Sequence, residues 1–346
     1  MIILDYSAGG VTVSESSFNE KYYSKKGIVL EAPLKDEDID FYIAEYEVMG
    51  EKRYFYDKDE IIMDIDSELV KLYDKFRDIY FPDTDAYYEQ LNSIPIFVQE
   101  AGQDSDCSID TIVFNELTKS FFEIFGSDLY KHLYLVDCQY LIGTIQNHLC
   151  VMNDLFVKFY IDICNTNIMC KERLTDRVYY QVSAESRLLS SIVESYFIKA
   201  YSILDLLTKI IVEIENPIKT FDKYEKLVSS EKIWGYRKKT KFNNTQGTLF
   251  EECELVKIIE SLRNETIHNG SWELNPKIFV VNDGNNIVEK FMMFPDFEES
   301  RLSCVKNRKH FFSKQDKIND IFVKLHFLFM DKLLTTIKEL LVYNSK

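Results

Sequence analysis

Between residues 185 and 214 apolar side chains return every three or four positions. Leu189, Ile192, Tyr196, Ala200, Ile203, Leu207 and Ile211 form one stripe, the spacing of a helix with a single buried face. The stripe predicts a long helix ending at Asn216-Pro217, because the residue before a proline is driven out of the helical region. A second long helix is predicted over 129–164. Its apolar run is broken by Asp137, Gln146, Asn147, His148, Asn153, Asp154 and Lys158, so it reads as a buried helix and not as a membrane span. Thr248-Leu-Phe-Glu251 has the form of a capping box that opens a third helix, with Leu255, Ile259, Leu262 and Ile267 on its apolar side and Asn269-Gly270 as its stop. Lys277–Val281 and Ile287–Phe294 flank Asn282-Asp-Gly-Asn-Asn286, a β-hairpin on an Asp-Gly turn. A last helix is predicted over Asp316–Tyr343.

The N-terminal third mixes periods. Gly27–Ala32 and Tyr42–Glu47 alternate, and Tyr54-Phe-Tyr56 follows a turn at Gly50-Glu51, which predicts a small antiparallel sheet. Helices are predicted at Ser67–Phe81 and Ile109–Phe125, with a short strand at Ile96–Gln99 just after Pro95. The expected fold is therefore mainly α. A helical bundle over 126–346, with its core at about 185–343 and an inserted β-hairpin, follows a smaller α+β domain over 1–125.

Composition sharpens this picture. With 346 residues, 46% of them hydrophobic, the chain can bury a large core, and 11 Gly and 6 Pro leave few places where helices must break. The first residues carry a four-residue apolar run and no basic segment, unlike a secretory signal, so a cytoplasmic protein is expected. Seven cysteines, an odd number without a CxxC pair, read as reduced thiols, and the five histidines have no zinc spacing, so neither metal nor cofactor is expected.

The net charge of −16 is unevenly spread. Residues 1–125 hold 28 acidic and 11 basic side chains, a net of −17, against 29 and 30 in the remainder, a net of +1. Within that neutral remainder Trp234, Tyr236, Arg237, Lys238, Lys239 and Lys241 combine aromatic faces with cations, as does Lys306-Asn-Arg-Lys309 with cations alone. The first cluster is a candidate RNA-binding loop; a solvated connection is the alternative.

The residue types that could carry chemistry stand in Arg263-Asn-Glu-Thr-Ile-His268, at the end of the third helix. An Arg followed by a polar Asn, with a His after four intervening residues, resembles the signature of the HEPN superfamily (higher eukaryotes and prokaryotes nucleotide-binding). The resemblance covers these six residues in detail, and the helices over 185–343 in context. It implies an all-helical, metal-independent endoribonuclease acting as a homodimer on RNA, single-stranded in this reading, in toxin, stress or anti-phage roles. On that reading His268 moves protons, Arg263 meets phosphate charge with its planar fork, and Asn264 orients the imidazole or the phosphate. Positions five apart on a helix differ by about 140° in direction, and the resemblance implies a remedy: two motifs meeting across a two-fold axis. Arg187, Glu194, Tyr201, Asp205 and Thr208 form a polar line on the 185–214 helix. Asp205 and Glu194 are candidates to support the motif, or members of a solvated or dimer-facing stripe. The blander alternative has Arg263 capping carbonyls or pairing with Glu260 while His268 sits at a helix C-terminus. The rival functions are an inactive HEPN-like module that binds RNA, nucleotide or protein, and an interaction protein whose acidic part does the recognising.

Overall fold

A computed structural model describes residues 21–32, 41–48, 50–103, 108–169, 172–228 and 239–343. Helix is the dominant element, 55% of the structure, with eight helices among the described residues. They are α1 (Ile61–Tyr80), α2 (Thr84–Ser93), α3 (Ile96–Glu100), α4 (Thr111–Phe125), α5 (Ser127–Asn165), α6 (Ala184–Glu215), α7 (Glu254–Asn269) and α8 (Ile318–Val342). The strands are β1 (Lys21–Ser24), β2 (Val29–Leu30), β3 (Tyr42–Val48), β4 (Glu51–Phe55), β5 (Glu172–Arg173), β6 (Val178–Gln181), β7 (Ile278–Asp283), β8 (Asn286–Phe291), β9 (Phe297–Glu298) and β10 (Arg301–Leu302).

The helix α5, about 58 Å long at 1.5 Å per residue, packs along α6, and α1 lies against both α5 and α8. At its start α6 has a reciprocal cap, Ser183 and Ser186 each accepting the other's backbone N–H. It stops at Asn216 as the following proline requires. Among the described residues two four-stranded antiparallel sheets have strand orders β2-β1-β3-β4 and β5-β6-β7-β8, and β9 pairs with β10 in a two-stranded ribbon. The β7–β8 hairpin turns at Gly284, and β7 pairs with β6, Gln181 opposite Ile278 and Val178 opposite Val281. The strand that leads into α6 thus fixes the hairpin to the bundle.

One apolar core crosses the boundary expected at 125/126. Tyr23, Phe41, Ile43, Tyr56, Ile65, Leu69 and Phe76 belong to the same buried cluster as Phe156, Tyr160, Tyr196, Phe322 and Ile337. Two expectations are corrected. Ile96–Gln99 is the helical turn α3 and not a strand, because Pro95 offers its carbonyl to the Val98 N–H at 2.9 Å and its fixed φ suits a helix start. The Thr248–Glu251 capping box does not form, and α7 begins at Glu254. The Thr248 hydroxyl accepts from the Phe250 N–H and donates to the Thr245 carbonyl, Glu251 accepts from Lys332 and the Gly247 N–H, and the Leu249 N–H donates to Thr336 of α8. Ties to α8 draw that turn away from the helix path.

The sheets meet the end of α5 through Lys290 of β8. Its buried ammonium donates to the carbonyls of Cys164 at 2.6 Å and Thr166 at 2.9 Å, satisfying orphan acceptors at the negative end of the helix. Gly27 sits against the same residue with φ +69°, and a Cβ there would stand 2.2 Å from the Lys290 carbonyl oxygen. Gly27→Ala is therefore expected to cost roughly 2 kcal/mol or more of unfolding free energy, the sum of a left-handed backbone and a clash with main chain. Chemical denaturation checks this; an unchanged midpoint would show that the turn opens freely.

Candidate functional site

Helix α7 buries Leu255, Ile259, Leu262 and Glu265. Ile267, expected on the apolar side, is 50% exposed; from Leu262 the helical step brings Glu265 to the buried face instead. Its carboxylate accepts from Lys309 Nζ and His310 Nε2, each at 3.1 Å, and from Asn269 Nδ2 at 3.0 Å. Burial pushes the Glu265 carboxyl up, but these donors outweigh it and hold it below the usual carboxylate range. An anion inside the six-residue motif thus anchors two cationic-type side chains from a loop more than forty positions away.

The motif residues point in two directions. Arg263 turns to α6, where its guanidinium carbon lies 4.8 Å from the ring centre of buried Tyr201 and its Nη1 donates to Asn264 Oδ1 at 3.0 Å. With that oxygen engaged, the Nδ2 hydrogens are what Asn264 offers elsewhere. His268 is exposed at the end of α7 and opens, with Asn264, into a cleft of about 530 Å³. Lys257, Arg301 and Lys309 supply cations to this cleft, and Arg263 is not among the residues lining it. Ser261 fastens the far wall: its hydroxyl accepts from the Leu302 N–H at 3.1 Å, which holds β10 and so Arg301 over α7.

The polar line on α6 divides. Arg187 is exposed, Tyr201 carries Arg263, and Thr208 is buried with its hydroxyl on the Leu204 carbonyl. Glu194 accepts from Ser271, two residues past His268's neighbour Asn269, and from Ser190 at 3.4 Å; burial raises its carboxyl above the usual range against those hydrogen bonds. It braces the exit of α7. Asp205 is half-buried one turn beyond Tyr201. Arg263, Glu194 and Tyr201 are thus gathered around the α6–α7 contact, and His268 is on the cleft side with Asn264.

Of the candidate RNA-binding loop, Trp234, Tyr236, Arg237 and Lys238 lie outside the described residues. Lys239 and Lys241 are exposed on the turn before Phe242, which is buried against Phe250 and Tyr343. The sequence alone singles out neither Lys257 nor Arg301, neither Glu265 nor His310. Lys309 was visible only as part of a basic cluster. Among the described residues no group of three or more His, Cys, Asp or Glu is arranged to hold a metal ion, and no helix is long and apolar enough to cross a membrane.

Comparison with protein-family models, with curated proteins and with solved structures finds no match for the chain.

Proposed function

We infer that the chain is a metal-independent endoribonuclease of HEPN type, cutting single-stranded RNA as a homodimer in the cytoplasm, in a toxin or anti-phage role. The observation that carries this reading is the company His268 keeps: an exposed imidazole, the Asn264 amide and the cations Lys257, Arg301 and Lys309 in one open cleft. That set fits RNA cleavage without a metal. The 2′-oxygen attacks phosphorus and the P–O5′ bond breaks, leaving a 2′,3′-cyclic phosphate and a 5′-hydroxyl. An imidazole takes the 2′ proton or supplies the 5′ one, and cations meet the charge on the phosphorane. A second His268 from a partner copy fills the other proton-transfer role. Arg263 then acts within its own chain through Asn264, or reaches across the dimer axis. The bundle over 126–346 houses this chemistry, and the acidic residues 1–125 are the accessory part, suited to a regulatory or protein partner.

A second reading, an inactive module that binds RNA or nucleotide without turnover, is favoured by one feature: Arg263 rests on Tyr201 and not in the cleft with His268. Incubation of the full chain with single-stranded RNA in EDTA separates the two. Cleavage with 2′,3′-cyclic ends supports the nuclease, binding without cleavage supports the module, and neither activity rejects both. Solution mass should show a dimer whose two-fold axis passes near Arg263–His268. A strictly monomeric chain that still cleaves RNA rejects the composite site.

A further inference from the structure

The cleft at His268 does not end on α7's last turn. A second cavity of about 390 Å³ adjoins it toward the start of the helix, and Lys257, Glu260 and Arg301 line both. Together they make one groove along the exposed side of α7 from Cys253 to His268. At 1.5 Å per residue that is about 22 Å, and a stacked strand at about 3.4 Å per nucleotide crosses it in about six nucleotides.

The two ends differ in charge. Near His268 the cations Lys257, Arg301 and Lys309 face Glu260 and Glu265, and Glu265 is already engaged by Lys309 and His310. In the second cavity Glu251, Glu252 and Glu260 stand against Lys257 and Arg301, and Asn243 and Asn244 complete the lining. Glu252 pairs with Lys257 at 3.1 Å, and Glu251 with Lys332 at 2.9 Å. An end with that balance disfavours a phosphate and suits a group that donates hydrogen bonds while also accepting them.

The two asparagines sit on a firmly built turn. The Asn243 N–H donates to Thr240 O at 3.2 Å and the Asn244 N–H to Phe250 O at 3.0 Å, with Asn244 in the left-handed region at φ +66°. Phe242 and Phe250 pack edge to face beneath it. The turn fixes the backbone that carries these two carboxamides, and a carboxamide is the partner for the N6 and N7 edge of adenine, an edge left open in single strands.

We propose that the cavity bounded by Asn243, Asn244 and Glu252 is a nucleobase subsite that takes an adenine of the RNA whose phosphate lies at His268. This rests on the RNA reading of the His268 cleft. The subsite gives the enzyme a base preference at a fixed distance from the cut, while Lys257 and Arg301 hold the phosphates between them.

The test uses the full chain and non-cleavable 2′-O-methyl oligouridines of about eight nucleotides, with a single adenosine moved along the strand. Binding is followed by fluorescence anisotropy. One position should bind about tenfold tighter than uridine, the discrimination of one good bidentate pair. Asn244→Gly, which keeps the left-handed turn, and Asn243→Ala should each flatten that preference and leave oligouridine affinity unchanged. Equal binding at every position, or a preference that survives both variants, overturns the subsite. Failure of the nuclease reading looks different: the adenine preference stands while the matching unmodified RNA stays intact. If no strand binds at all, both fall together.

Discussion

Replacing His268 with alanine is expected to slow RNA cleavage by at least ~10²-fold, the contribution of a positioned acid or base, while RNA affinity changes little. The asymmetry follows from the cleft. His268 is one exposed side chain at the end of α7, whereas binding draws on Lys257, Arg301 and Lys309. The helix itself is secured by Leu255, Ile259 and Leu262 and by the Glu265 hub, so the variant should fold normally. Arg263→Lys is the informative companion. Lysine keeps the charge but loses the planar fork that lies on Tyr201 and donates to Asn264. If Arg263 acts by orienting Asn264 within its own chain, the cleavage rate falls with little change in the strength of binding. Single-turnover cleavage with saturating enzyme reads both. An alanine variant at position 268 that cleaves at the wild-type rate would reject the assignment of the imidazole.

The difference between the motif as sequence and the motif as site is physical. Long stripes such as Leu189 to Ile211 declare a helix because one face must be buried along many turns, and α5, α6 and α8 end within two residues of where periodicity places them. Short elements carry no such redundancy. Ile96–Glu100 is a single turn, decided by Pro95, and Val178–Gln181 becomes a strand because β5 and β7 are there to pair with it on either side. Thr248–Glu251 has a locally correct capping pattern, and tertiary bonds to Thr336 and Lys332 outbid it. Within the site, Arg263 and His268 diverge as five helical positions require, one to α6 and one to the cleft. Of the cations in the His268 cleft, Lys257 is on α7 itself, while Arg301 and Lys309 come from segments that no local motif ties to it. Ser261 and Glu265 make those ties, and each is an ordinary polar residue until its distant partner is known.

Acid should unfold the protein steeply, for reasons lodged in its core and not in the cleft. His326 of α8 is fully buried, stacked 3.8 Å from Phe156, between Tyr56 and Tyr196. The Tyr56 hydroxyl donates to Asn153 Oδ1 at 2.7 Å, so its oxygen accepts from Nε2–H at 3.2 Å, and Nδ1 accepts from the Tyr196 hydroxyl at 3.0 Å. Nδ1 has no room for a proton without breaking that order, and burial pushes the imidazole down to about 3. His132 is also fully buried. Gln99 Oε1 engages its Nε2 at 3.0 Å, its Nδ1 has no hydrogen-bond partner among the described residues, and burial, with Lys131 adding, brings it down to about 4. In the unfolded chain both return to about 6.5. Both contributions are thus present in full above about pH 6.5 and shrink as pH falls, because only the unfolded chain takes up protons. Each histidine removes about 1.4 kcal/mol per pH unit once the unfolded chain protonates, so the pair removes roughly 5 kcal/mol between pH 6.5 and 4, against a whole stability of about 5–15 kcal/mol. Carboxyls raised by desolvation, the buried Glu213 and the partly buried Glu194, Glu273 and Asp137, work the other way, so the decisive quantity is a difference between variants. His326→Leu should cost about 1–3 kcal/mol at pH 7 by stranding the Tyr196 hydroxyl. It should also flatten the dependence of unfolding free energy on pH by about one proton between pH 6 and 4. Urea denaturation across that range measures the slope, and identical slopes for variant and wild type would show that His326 is already protonated in the fold.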